Sequence, residues 1–363
     1  MVPSRSVRQT SRTLFFGVLA FTLGLTAFVQ GATAAQASCS SWSSETLQLM
    51  APASPGGGWD GTARELQTAL QDEGIVDSVE VFNVPGAGGT IGLAELVSQH
   101  SGDGHMAMVM GLVMVGGIGL NESPVTLEQV TPIARLTTEF EVIVVPADSP
   151  YQTIDDLMEA FKSDPGSISW AGGSAGGTDH LLVGLLAQAE GIDPTLINYI
   201  PFSGGGEALS AILGGQTTAG VSGLGEWQAQ IESGDLRALA LSGRAGAADG
   251  ATPVAGAGAA TAAATATPAA SFGADIPTLK DSGIAVELAN WRGVVAPPDI
   301  SAEDAICMSG AFDSVVHSPT WQATLQRFGW TDFYQRGDEY KAFLASETER
   351  VSTILTELGL IGG

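Results

Sequence analysis

Short apolar runs alternate along the chain with longer stretches whose apolar residues recur every three or four positions, the spacing of a helix with one buried face. "TLQLMAP" precedes a helical pattern from about Trp59, "VEVFNV" precedes one from about Thr90, and "HMAMVMG" ends at a glycine-rich bend. The rhythm resumes with "EVIVVPA", "SISWAG", "LINYIPF", "TTAGVSG" and "LRALALSG", and later with the strand-like "VELANWRGVVAPP". Strands alternating with helices predict an open, mainly parallel α/β sheet. Near the end, Tyr340, Phe343, Leu344, Val351, Leu355 and Leu358 approximate one helical face, which reads as ordinary core packing.

The rhythm fails twice. Residues 1–37 hold Arg5, Arg8 and Arg12, then an apolar run from Leu14 to Val29, then small residues ending in Ala35-Gln36-Ala37, the order of a secretory signal peptide. The run is short for a membrane span and nothing comparable follows, so an exported, soluble chain starting near Ser38 is expected. Residues 245–274 carry abundant Ala, Gly, Thr and Pro and no periodic apolar face, and read as a flexible loop insertion.

Composition narrows the class. With 363 residues, 44% of them hydrophobic, the chain is long enough for two domains and a sizeable core. Its 14 basic and 39 acidic residues give a formal charge of −25, and removing the leader takes away three arginines and no acid. Such a surface excludes nucleic acid and anionic membranes as natural partners. The two cysteines, Cys39 and Cys307, allow one disulfide in an exported protein. Lipidation of Cys39 is the less favoured alternative, because Gln36 stands where a lipoprotein signal carries an aliphatic residue, and free thiols stay open as a third.

In open α/β sheets, ligands lie beyond the carboxyl ends of the strands, where helix N-termini point. Those ends here read "SPGGGWD", "PGAGGT", "GGSAGGTDH", "FSGGG" and "VSGLGEW", all glycine with hydroxyls and none with a lysine or arginine. Backbone N–H groups and helix dipoles can hold an anion without a formal positive charge, so a small carboxylate is the expected ligand. Any one turn is equally served by a helix cap, and Asp60 in particular suits capping; the repetition is what points to a site.

Gly172-Gly173-Ser174-Ala175-Gly176 also satisfies the G-x-S-x-G of a nucleophile elbow, which keeps a secreted serine hydrolase using Ser174 as the competing reading. The nearest candidates for its acid and histidine are Asp179 and His180, adjacent helical residues that diverge by about 100° and so are poorly placed to act in relay, and the only later histidine is His317. The four histidines show no metal-ligand spacing, and there is no phosphate-binding G-x-x-x-x-G-K-[ST], so neither metal nor cofactor is expected.

"APASPGGGWDGTAR", "NVPGAGGTIGLAEL", "AGGSAGGTDHLLVGLLA", "IPFSGGGEALSAILGG" and "LRALALSG" together resemble the solute-binding receptors of tripartite tricarboxylate transporters, the Bug receptors, over nearly all of the exported chain. The insertion at 245–274 departs from the family pattern. The resemblance implies a non-enzymatic receptor with an α/β, two-lobed, type II periplasmic-binding-protein (Venus flytrap) fold and a ligand cleft between the lobes. It implies capture of a tricarboxylate, dicarboxylate or related acid by a monomer outside the cytoplasm, for delivery to integral membrane subunits. Lobe one would comprise residues 45–140 and 290–363, lobe two residues 141–289, with the second crossing in "ELANWRGVVAPP". By position, Gly56, Gly57, Gly58, Trp59 and Asp60, with Gly86, Ala87, Gly88, Gly89 and Thr90, resemble loops that clamp a ligand carboxylate from lobe one. Ser174, Thr178, His180, Ser203, Gly204 and Gly205, with Ser222, Gly223 and Glu226, resemble the opposing wall. Trp291 at the cleft border and Arg292 near the hinge are the remaining candidates, each as well explained by the core or by an ion pair.

Overall fold

The computed structural model describes residues 39–244 and 272–362. The leader at 1–37 and most of the insertion at 245–274 lie outside them.

Two groups of parallel strands are joined through antiparallel ones. In the first group, β1 (Thr46–Ala51) pairs in parallel with β2 (Ser78–Asn83) and β3 (Met106–Gly111). Its connecting helices are α1 (Gly58–Asp72) and α2 (Thr90–Gln99), and β3 runs straight into α3 (Leu112–Leu120). The glycine-rich bend expected after β3 is therefore helical. Gly116 and Gly117 lie inside α3, which is apolar on all sides and buried enough to tolerate them.

The next strand, β4, is 16 residues long, Thr131–Pro146, and belongs to both halves of the sheet. From Thr131 to Phe140 it pairs with β9 (Ala289–Ala296), and β10 (Thr331–Arg336) lies on its other side. From Glu141 onward it pairs with β7 (Ala219–Gly223) and β8 (Leu236–Leu241). The second parallel group is β7, β5 (Ser169–Gly172) and β6 (Asn198–Pro201), connected through α4 (Ile154–Ser163), α5 (Thr178–Ala189) and α6 (Gly205–Leu213). The strand order β2-β1-β3-β9-β4-β7-β5-β6 places β9 and β4 at the centre.

Every pairing made by β4 or β9 is antiparallel, so the sheet is mixed rather than mainly parallel. The cause is topological. A chain that leaves one half through β4 and returns through β9 must run the two strands in opposite directions.

The apolar periodicities sit where they were read. β3, "MAMVMG", is buried at every position, as a strand covered on both faces must be. Tyr340, Leu344, Val351 and Leu355 of α10 (Gly337–Glu357) are buried, and α10 packs beside α3 and β4. α7 (Gln228–Ser233), α8 (Ala302–Val316) and α9 (Pro319–Phe328) complete the helices used here. Cys39 and Cys307 form a disulfide, which ties the segment before β1 to α8.

Candidate functional site

The turn before α1 is less open than its glycines suggest. The Gly56 N–H donates to Asp60 Oδ2 at 2.9 Å and the Gly57 N–H to the Ser54 carbonyl at 3.2 Å, so both amides are already engaged. Asp60 also accepts from Arg64 and from Asn83. Burial works to raise its pKa, but these hydrogen bonds and the Arg64 charge together hold the carboxyl below its usual range. The turn thus carries its own anion, and Asp60 lines neither of the cavities described below. Gly58 is different. A Cβ there would strike Arg292 and Glu226, so only glycine lets those two side chains meet above the start of α1.

The second turn is built on left-handed backbone, with φ of 130° at Gly86, 50° at Ala87, 66° at Gly88 and 88° at Gly89. A side chain at Gly89 would also collide with Trp59 and Met114. Thr90 Oγ1 donates to the Ala87 carbonyl at 2.9 Å, as does Asn121 Nδ2 at 3.2 Å, which pins the loop against α3.

Across from these, the turn from β5 to α5 is held by the two residues that a hydrolase would have needed. Asp179 Oδ2 accepts from the Gly173 N–H at 2.5 Å, and His180 Nδ1 accepts from the Gly176 N–H at 3.0 Å. His180 stacks on Tyr199 with ring centroids 4.3 Å apart, and burial lowers its pKa to about 4. Its Nδ1 lone pair therefore holds a backbone amide. Thr178 Oγ1 donates to Asn290 Oδ1 at 3.2 Å, linking the start of α5 to β9. Near α6, the Ser203 N–H donates to Glu207 Oε2 at 3.2 Å, and Trp227 Nε1 to the Gly205 carbonyl at 3.1 Å.

Two cavities lie between the halves. The inner one, of about 60 Å³, is bounded by Gly58, Trp59 and Gly86 on one side and by Gly173, Ser174, Asp179, Ser203, Gly204, Gly205, Ser222, Gly223 and Glu226 on the other. Asn290 and Arg292 of β9 close its base. The outer one, of about 290 Å³, is lined by Ala87, Gly88, Asn121, Ser174, Ala175, Pro201, Phe202, Ser203 and Glu207. Ser174 and Ser203 border both. Of the residues expected at the site, Gly56, Gly57, Asp60, Gly89, Thr90, Thr178 and His180 line neither and act by shaping the loops that do. Trp291 is core, with its Nε1 on Glu347 and its ring edge-on to Phe343.

The halves touch through bare backbone. A Cβ on Gly57 would sit 3.5 Å from Gly204 Cα, and one on Gly116 would overlap the Gly176 carbonyl. The two halves are thus in direct contact across the cleft.

At the base of the inner cavity the fold assembles a charged cluster of which the sequence had marked only Glu226 and Arg292, and those separately. Arg292 is buried and paired with both Glu139 and Glu226, the latter at 3.1 Å, while its Nη1 donates to Thr62 Oγ1 at 3.3 Å. Trp330 Nε1 donates to Glu139 Oε2 at 3.0 Å. Glu141 is fully buried, and among the described residues no donor reaches either of its oxygens. Burial, and then the neighbouring carboxylates, push its pKa well up. Burial likewise raises Asp179 to about 6 against the pull of the Gly173 amide, and Glu226 to about 8 against the pull of Arg292. Glu139 is raised by burial despite Arg292. The signal that could have exposed the cluster is "EFEV", which puts Glu139 and Glu141 on one face of the strand just before its apolar run "VIVV".

A mixed sheet divided by two crossing strands, with its cavities between the halves, defines a periplasmic-binding-protein architecture. Solved structures agree in fold: the periplasmic binding protein BugD superposes with a TM-score of 0.71 at 22% identity, covering 87% of this chain and 98% of that one. MatC from Rhodopseudomonas palustris with bound malate superposes at 0.70 and 20% identity, covering 85% and 98%. Among curated proteins, BugT of Bordetella pertussis is 26% identical over 331 residues, 90% of this chain and 93% of BugT. The model of the tripartite tricarboxylate transporter family receptor matches residues 62–360, and the chain belongs to that family. It is a solute-binding receptor rather than a hydrolase, and nothing supports catalysis at Ser174.

Proposed function

We propose that this receptor captures a small di- or tricarboxylate in the cleft between lobe one (residues 45–140 and 290–363) and lobe two (141–289). It then delivers the ligand to the integral subunits of a tripartite transporter. The single observation that carries the reading is the pair of cavities bounded by residues of both sheet halves, at the strand ends where β4 changes partners after Phe140. The outer cavity is of a size to take one small organic acid, with the loops at 86–88 and 174–175 and the start of α6 around it. Malate bound to MatC and adipate bound to another R. palustris relative are of this class. Ser174, Ser203, Gly88 and Asn121 are the proposed ligand contacts, with Gly58, Trp59, Gly204, Gly205, Ser222, Gly223 and Glu226 forming the deeper wall.

Export through the leader at 1–37 and work as a monomer outside the cytoplasm complete the proposal. No helix among the described residues is long and apolar enough to cross a membrane. A Cys39 sulfur bonded to Cys307 has no valence left for a lipid thioether, which favours a freely diffusing receptor.

A thermal-shift panel of malate, succinate, adipate, citrate and phthalate tests the reading. A ligand at a hundred times its Kd stabilises by about 2.7 kcal/mol, a readily measured rise in melting temperature. The expected result is at least one such rise with the acid recovered unchanged. No rise from any acid, or ester turnover abolished by Ser174→Ala, contradicts it.

A further inference from the structure

We propose that the cleft closes on its carboxylate ligand together with a proton, held at the inner cavity by Glu226 as a carboxylic acid that serves as a hydrogen-bond donor, its Oε2 being buried there without a partner among the described residues. This rests on the carboxylate-receptor reading above and adds to it how the negative charge is accommodated.

Arg292 is the one basic side chain in the lining of either cavity, and it is already shared between Glu139 and Glu226. Around it stand four carboxyl groups from three elements: Glu139 and Glu141 on β4, Asp179 in the first turn of α5, and Glu226 after β7. One guanidinium cannot neutralise four desolvated carboxylates, still less accept a fifth from the ligand. Glu141, fully buried and reached by no donor among the described residues, makes the point independently, because a carboxylate so placed must hold a proton or share one with Asp179. Tyr199 faces Asp179 and Glu141 from β6, and its hydroxyl is spent on the Gly173 carbonyl. His180, packed on Tyr199, is kept neutral by burial, so it adds no compensating charge. From β9 itself and from α1 come, besides Arg292, only the neutral Asn290 and Thr62 contacts already described. Glu207 adds a further acid at the outer cavity, and the chain as a whole carries −25. An anion entering this field needs donors that bring no added negative charge.

Closing the lobes supplies them. In an open cleft the acids are hydrated and ionise near their ordinary pKa values; closure removes the water and favours the protonated form, so that Glu226, raised by burial to about 8, holds its proton at pH 7, whereas Asp179, raised to about 6, gains one only at lower pH. The proton comes from solvent and returns to it on opening.

The test is calorimetry with the panel acid that gives the largest thermal shift, run at pH 7 in phosphate and in Tris, whose ionisation heats differ. The difference in observed heat gives the protons exchanged. About one proton taken up per ligand is expected at pH 7, with Kd rising about fivefold from pH 7 to pH 8 and levelling off above, as Glu226 loses its proton. Glu226→Gln keeps a donor but cannot titrate, so it should remove most of the uptake at pH 7 and flatten the pH profile of the affinity that remains, whereas Asp179→Asn should leave both nearly unchanged between pH 7 and 8; a full uptake in Glu226→Gln overturns the inference. Tight binding with no proton exchange overturns the inference and leaves the receptor reading standing. Proton release on binding also overturns it, and indicates a ligand whose cationic group meets the acids. Failure of every acid in the panel to bind overturns both.

Discussion

Arg292 ties the two halves of the sheet together. It joins β9 to Glu139 of β4 and to Glu226 beyond β7, with its side chain and that of Glu139 almost wholly out of solvent. Breaking a buried pair by removing one partner costs about 3–5 kcal/mol, because the other charge is left uncompensated. Arg292→Met should therefore lower stability by that order at pH 8. The sign follows from the acids: their folded pKa values lie above the unfolded ones, so the penalty is largest above those values and fades as pH falls and protons neutralise them. Denaturant melts at pH 8 and pH 6 check this, and an equal loss at both would contradict it. His180 has the opposite sign. Its folded pKa of about 4 lies below the ordinary 6.5, so it costs nothing above 6.5 and destabilises as pH falls toward 4. Its imidazole resonances should show no protonation down to pH 5 in the folded protein. At this scale the sequence was readable where chemistry is local, as in the G-x-S-x-G turn and its two following residues. It singled out Arg292 and Glu226 separately but not their pairing, because they lie 66 positions apart and meet only through the fold.

Among the elements, the strands and helices with strong periodicity were legible, from β1 through β8 and again in α10. The first half of β4 was not, because Arg135, Thr137 and Glu139 break its apolar run and are buried only by partners from far along the chain. Arg135 illustrates this: its guanidinium lies 3.4 Å from the Phe333 ring centroid and donates to the Phe333 carbonyl, a contact spanning 198 positions. β10, "TDFYQR", was hidden for the same reason. The glycines foretold close approach, and the structure shows that part of what approaches is the other half of the protein. Gly116 of α3 faces the Gly176 carbonyl, so Gly116→Ala should obstruct closure. Ala favours a helix over Gly by about 1 kcal/mol, so the ligand-free protein should be unharmed or slightly more stable. Ligand affinity should fall tenfold or more. Gly57→Val should act likewise, its branches meeting Gly204. Full affinity in both variants would show that the halves need not meet.

For the whole molecule, the disulfide and the cleft are separate in role. Cys39 and Cys307 close a span of 268 residues, and a covalent closure of that kind stabilises by about 2–4 kcal/mol. Both cysteines sit away from the cavity linings, so reduction should lower the melting temperature and leave ligand affinity unchanged. A parallel loss of affinity would mean that the tie also sets the cleft. The central claim is that the two halves close on a carboxylate, and the most direct measurement is calorimetric titration of refolded, ligand-free protein with the best acid of the panel and with its methyl ester. The account predicts saturable binding of the acid and none of the ester. Equal affinity for both would contradict it.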